Sequence, residues 1–124
     1  MVNFGEPQTV PDKFKGRTFY HHNPQVTLMR TNAEECVALG RIIAEKANAC
    51  TGPVTVLLPL RGISIISTEG QPFHDPAADK ALFDAIRSHV KPGVPVVELD
   101  CTVNDPAFAA ACARALLESL PAVK

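Results

Sequence analysis

The chain has no apolar run close to the roughly twenty residues that a membrane-spanning helix needs, and its N-terminus lacks the apolar core of a secretory signal. A concentrated positive patch is also missing. Net charge is −1, the twelve Lys and Arg are scattered, and the densest basic cluster, Lys13, Lys15 and Arg17, is interrupted by Phe14 and Gly16. Gripping a phosphate backbone takes a dense footprint, so nucleic acid and membrane are both set aside as partners. No pair among Cys36, Cys50, Cys101 and Cys112 has the two-residue gap of a zinc knuckle or a redox dithiol. Cys36 and Cys50 fall near opposite ends of one expected helix, about 20 Å apart at 1.5 Å per residue, too far for a disulfide. The cysteines therefore read as small buried hydrophobes with free thiols, which points to a reducing, cytoplasmic setting. Neither G-x-x-x-x-G-K-[ST] nor G-x-G-x-x-G occurs, and neither Ser64 nor Ser67 sits in a G-x-S-x-G elbow. A self-contained dinucleotide, triphosphate or hydrolase motif is not visible.

What is present fits one folded domain over residues 1–124, with 46% apolar and 20% charged residues. Three helices carry start signals. Thr31 or Asn32 is followed three residues later by Glu34 or Glu35, the capping-box spacing, and Cys36, Leu39, Gly40, Ile43 and Ala47 recur at helical intervals up to Thr51-Gly52-Pro53. Asp75-Pro76 and Asp105-Pro106 each pair a capping carboxylate with a proline set for the first helical position. Two β-branched runs, Val54–Leu60 and Val94–Leu99, do not alternate and read as strands covered on both faces. Arg17–Tyr20 is a shorter strand candidate, and 1–16, with Gly5, Pro7, Pro11 and Gly16, reads as an irregular arm. The order β-α-β-α-β-α predicts an α/β, three-layer Rossmann-like parallel sheet of about three to four strands flanked by helices, the fourth strand coming from Ile63–Ile66. So thin a sheet reads as a portion of a larger domain.

Ligands of open parallel sheets bind beyond the carboxyl ends of the strands. Three such ends supply Asn23 after the first strand, Arg61 and Gly62 with the long loop to His74-Asp75 after the second, and Asp100 after the third, with Arg30 at the first helix start. Asn23, Arg30, Arg61, Gly62, His74 and Asp100 are the candidate ligand-binding residues. The two arginines could clamp a carboxylate or phosphate, or pair with Glu69, Asp75 or Asp100 across the loops. His74 and Asp75 are the candidates for general acid/base work. The spacing of His21, His22, His74, Asp75 and Asp100 matches no compact metal motif, so no metal site is expected.

The stretches HHNPQVTLMRT (21–31), LLPLRGISIISTEGQPFHDPAADKALFDAI (57–86) and VVELDCTVNDPAFA (96–109) resemble the C-terminal part of the Tm-one-like ATP-binding domain family. The resemblance covers the whole chain and about the last third of a typical member. It implies two Rossmann-like subdomains in tandem, of which this chain is most of the second half of the C-terminal one, the opening MVNFG resembling an internal segment of such a protein. The resemblance implies ATP binding by the larger domain of the full-length members, whose N-terminal portion lies outside this chain, and no ATP contact is carried onto a residue here. Where the family often has a small or acidic residue after G-[VI]-S, this chain reads Ile65-Ile66-Ser67, which argues against a catalytic carboxylate at that point.

The expectation is thus part of a small-molecule site for a phosphate- or carboxylate-bearing ligand, possessed by a homodimer or completed by the N-terminal part of the same protein. The alternatives are a non-catalytic assembly module and, more weakly, a metal-assisted hydrolase using His74 and Asp75.

Overall fold

A computed structural model describes residues 1–121; the last three residues of the expected domain lie outside the described residues. The strands form two sheets. β1 (Val2–Phe4), β2 (Phe19–Asn23) and β3 (Val26–Met29) make an antiparallel sheet in the order β1-β3-β2, and β4 (Val56–Pro59) and β5 (Val96–Leu99) pair in parallel. The helices are α1 (Ala33–Ala49), α2 (Pro76–His89) and α3 (Pro106–Ser119).

The α/β class and the parallel pairing of the second and third expected strands hold. The first expected strand does not join them. Its residues run into a hairpin in which Asn23 Oδ1 accepts the Gln25 amide at 2.8 Å and Val26–Met29 folds back alongside. The N-terminal segment is more ordered than its composition suggests, because Val2–Phe4 pairs with β3 and the Phe4 and Phe14 rings meet at 5.7 Å. Ile63–Ile66 supplies no strand: residues Ile65–Ser67 form a single 3-10 turn, and Ile65 stays exposed.

Helix starts follow the capping chemistry. Asn32 accepts the Glu35 amide and Glu35 accepts the Asn32 amide, each at 2.9 Å, closing the capping box of α1. Asp75 caps α2 through the Ala78 amide at 3.0 Å, and Asp105 caps α3 through Ala107 at 2.9 Å. The expected left-handed stop at Gly52 is not used; α1 ends with Cys50 already extended.

The small stripe Cys36, Gly40 and Ala44 turns α1 toward α2. A Cβ on Gly40 would lie 2.6 Å from the Leu82 carbonyl oxygen, so the two helices approach to backbone contact. α2 also covers β4 and β5, where Leu58, Phe83 and Ile86 form a core joined by Val56 and Val96. Apolar burial of this kind contributes about 25 cal/mol per Å². Cys36 and Cys101 are buried as expected of small hydrophobes, Cys112 is half-buried, Cys50 is exposed, and all four are free. No helix among the described residues is long and apolar enough to cross a membrane.

Candidate ligand-binding cleft

The parallel pairing does not stop at the strand ends. Leu60 N–H donates to the Leu99 carbonyl and Arg61 N–H to that of Cys101, both at 3.0 Å, and Val103 N–H donates to Gly62 O at 2.9 Å. The loops leaving β4 and β5 are therefore zipped together at their bases. Gly62 carries this turn at φ 151°, where a Cβ would press on the Thr68 methyl at 2.9 Å.

The long loop then folds back under its own bonds. Phe73 N–H reaches the Ile66 carbonyl at 2.8 Å, and Gln71 N–H reaches that of Thr68 at 3.0 Å. Phe73 plugs the base of the loop, almost fully buried, with its ring edge on Tyr20 of β2 at a centroid distance of 6.3 Å. This plug explains the length of the connection: it ties the two sheets together and leaves residues 61–69 over the carboxyl ends of β4 and β5.

Between this loop and one face of α2 lies a cleft of about 720 Å³, within the range of small-molecule sites. Arg61, Thr68, Glu69 and His74 line it from the loop, Thr102 from beyond β5, and Lys80 and Arg87 from α2. Arg61 donates to both Asp100 carboxylate oxygens, Nε to Oδ1 at 2.7 Å and one terminal nitrogen to Oδ2 at 3.0 Å. The Arg61 hydrogen bond holds the Asp100 carboxyl below the usual range and raises the guanidinium in return. The two side chains are 64% and 74% exposed, so the pair adds little to stability. What it fixes is direction. Lys80 pairs with Asp84, and Arg87 pairs with Asp84 and Glu98. Beside them, burial pushes the Cys101 thiol up, with Asp105 and Asp100 adding to the effect, which leaves it a poor nucleophile.

Arg61 and His74 thus share the cleft, Asp100 holds Arg61 from its side, and Gly62 shapes the turn. Asn23 is not brought there, because β2 belongs to the antiparallel sheet and its side chain closes the hairpin turn. Arg30 is buried inside: it donates to the Phe73 and Asp75 carbonyls and pairs with Asp79. Asp75 spends its carboxylate on the α2 cap. His74 is exposed, with Nδ1 3.4 Å from the Ser67 carbonyl oxygen. Among the described residues, no group of three or more His, Cys, Asp or Glu side chains is placed to hold a metal. Sequence reasoning missed Lys80 and Arg87. Their spacing from Pro76, at i+4 and i+11 with Phe83 between, marks one helical face and was the available signal.

Residues 1–120 match the family model described as "Uncharacterised protein family (UPF0261) C-terminal domain". The chain belongs to the UPF0261 family. A UPF0261 protein of Rhizobium meliloti is 50% identical over 117 residues, which cover 93% of this chain and 29% of the relative. One from Clostridium tetani is 43% identical over 121 residues, covering 97% of this chain and 30% of the relative. The tomato (Solanum lycopersicum) ToMV resistance protein Tm-1 is 37% identical over 123 residues, 98% of this chain and 16% of that protein. This UPF0261 chain therefore spans less than a third of the length of these curated relatives, and the Tm-one-like resemblance holds at the family level.

Proposed function

We propose that this UPF0261 domain contributes a small-ligand site in which Arg61 receives a phosphate or carboxylate group at the carboxyl ends of β4 and β5. The observation that carries the reading is the state of Arg61: its side chain is 64% exposed at the cleft yet held in one orientation by two hydrogen bonds to Asp100. A preorganised guanidinium loses less freedom on meeting an anion than a free one. Thr68, His74 and Thr102 stand by as hydrogen-bonding groups. The four free cysteines support a cytoplasmic setting.

Calorimetric titration with inorganic phosphate and with adenosine mono- and triphosphate tests this. The wild-type chain should bind at least one of them, and Arg61→Ala should weaken that binding about tenfold or more, the usual scale for a charge-assisted contact. Equal affinities in the two proteins, or no binding by either, contradict the role.

A second reading is that the domain docks onto a second copy of itself. Leu116, Leu117 and Leu120 on α3 are 62%, 68% and 55% exposed, and Leu39, Ile42 and Ile43 on α1 are also open. Exposed apolar side chains gathered along one helix favour association.

A further inference from the structure

Resting on the ligand reading of the cleft, we infer that its ligand is a sugar phosphate, recognised through its hydroxyl groups as well as its anionic end. Each cation on the cleft wall comes with a carboxylate beside it: Asp100 for Arg61, Asp84 for Lys80, and Asp84 with Glu98 for Arg87. Glu69, exposed on the same wall, makes no hydrogen bond or ion pair among the described residues. A bare phosphate is mainly an acceptor and brings one to two negative charges, so the acidic members of this set repel it. A sugar hydroxyl both donates and accepts. It can give its proton to Glu69, Asp100 or the Thr68 hydroxyl oxygen, whose own proton goes to the Ile65 carbonyl, while accepting from Arg61 or Thr102, and the phosphate then takes the remaining guanidinium donors. Side-by-side donors and acceptors are matched to such a ligand.

A nucleobase finds less to hold it. The aromatic side chain at the cleft is Phe83, only 4% exposed and committed to the core with Leu58 and Ile86. Apart from the His74 imidazole, no ring among the lining residues is open to stack a base.

The test is calorimetry on the full chain with three probes: ribose 5-phosphate, inorganic phosphate and adenosine monophosphate. Ribose 5-phosphate should bind about tenfold or more tighter than inorganic phosphate, as two added hydrogen bonds allow, and the adenine of adenosine monophosphate should add nothing. Glu69→Gln should shrink the preference for the sugar and, with one repelling charge gone, strengthen inorganic phosphate binding. Glu69 is exposed, so the fold is retained, which circular dichroism checks. Ribose 5-phosphate binding no better than inorganic phosphate, adenosine monophosphate binding well above both, or a preference unchanged in Glu69→Gln overturns the inference while phosphate binding itself still stands. Absence of binding by all three probes defeats the underlying site as well.

Discussion

Arg30 and Asp79, 49 positions apart in the chain, meet in the interior, and Arg30 also donates to the Phe73 carbonyl at 3.0 Å and to that of Asp75. One guanidinium thus joins the end of β3, the base of the cleft loop and the first turn of α2. Both side chains are buried. Removing one partner of a buried pair strands the other charge, at a typical cost of about 3–5 kcal/mol. Asp79→Ala should therefore lower stability by about 3 kcal/mol, and urea unfolding of the variant checks it. A change under about 1 kcal/mol, the scale of an exposed pair, would show that the clamp is not structural.

Gly40 lets α1 and α2 touch backbone to side chain. A Cβ there would stand 2.6 Å from the Leu82 carbonyl oxygen and 2.7 Å from the Ala85 Cβ. Alanine is ordinarily the better helix former by about 1 kcal/mol, so an open site would gain from the change. Here overpacking wins, and Gly40→Ala should destabilise by about 1–3 kcal/mol. A raised melting temperature would mean that the helices part at little cost.

Arg17 donates to both Glu35 carboxylate oxygens, at 3.0 and 2.7 Å. This hydrogen bonding, with the Asn32 amide adding to it, holds the Glu35 carboxyl below its usual value. A carboxyl depressed in the folded state stabilises the fold above its unfolded pKa and loses that contribution as pH falls through the folded one. The loss should therefore set in as pH falls to the ordinary glutamate value, about 4.3, and continue down through the lowered folded one. Urea midpoints followed downward through that range should fall more steeply for wild type than for Glu35→Gln. Parallel curves would remove Glu35 from the acid response.

The open leucines of α3 and the apolar flank of α1 predict that the isolated chain self-associates. A symmetric dimer covers one self-complementary patch on both copies at once. Light scattering over a concentration series should show a mass above 13.3 kDa that rises with concentration, and Leu116→Glu together with Leu120→Glu should reduce it. A stable monomer at high concentration rules out the docking reading.

The elements written by capping chemistry were legible in the sequence: Asn32 with Glu35, Asp75-Pro76 and Asp105-Pro106 each start a helix as their side chains dictate. The parallel pairing of β4 and β5 was legible from their unbroken apolar character. The antiparallel sheet was not, because His21-His22-Asn23-Pro24 reads as a loop and its hairpin partner Val26–Met29 runs straight into a helix start. A turn chemistry of Asn-Pro between two β-prone runs was the overlooked signal. For the cleft, the sequence placed Arg61, His74 and Asp100 near one another through strand ends. It could not separate Arg30 from Arg61, since burial depends on which sheet β3 joins. The Arg30 partner Asp79 lies on α2, where sequence alone reads only an acidic first turn.

The most direct measurement is an amide and arginine-side-chain NMR titration of the chain with inorganic phosphate. An anion received by Arg61 should shift the Arg61 Nε–H together with the amides of Thr68, Glu69, His74 and Thr102, saturably and as one group. If no signal moves, or if the shifts gather instead around Lys13, Lys15 and Arg17, the cleft is not an anion site.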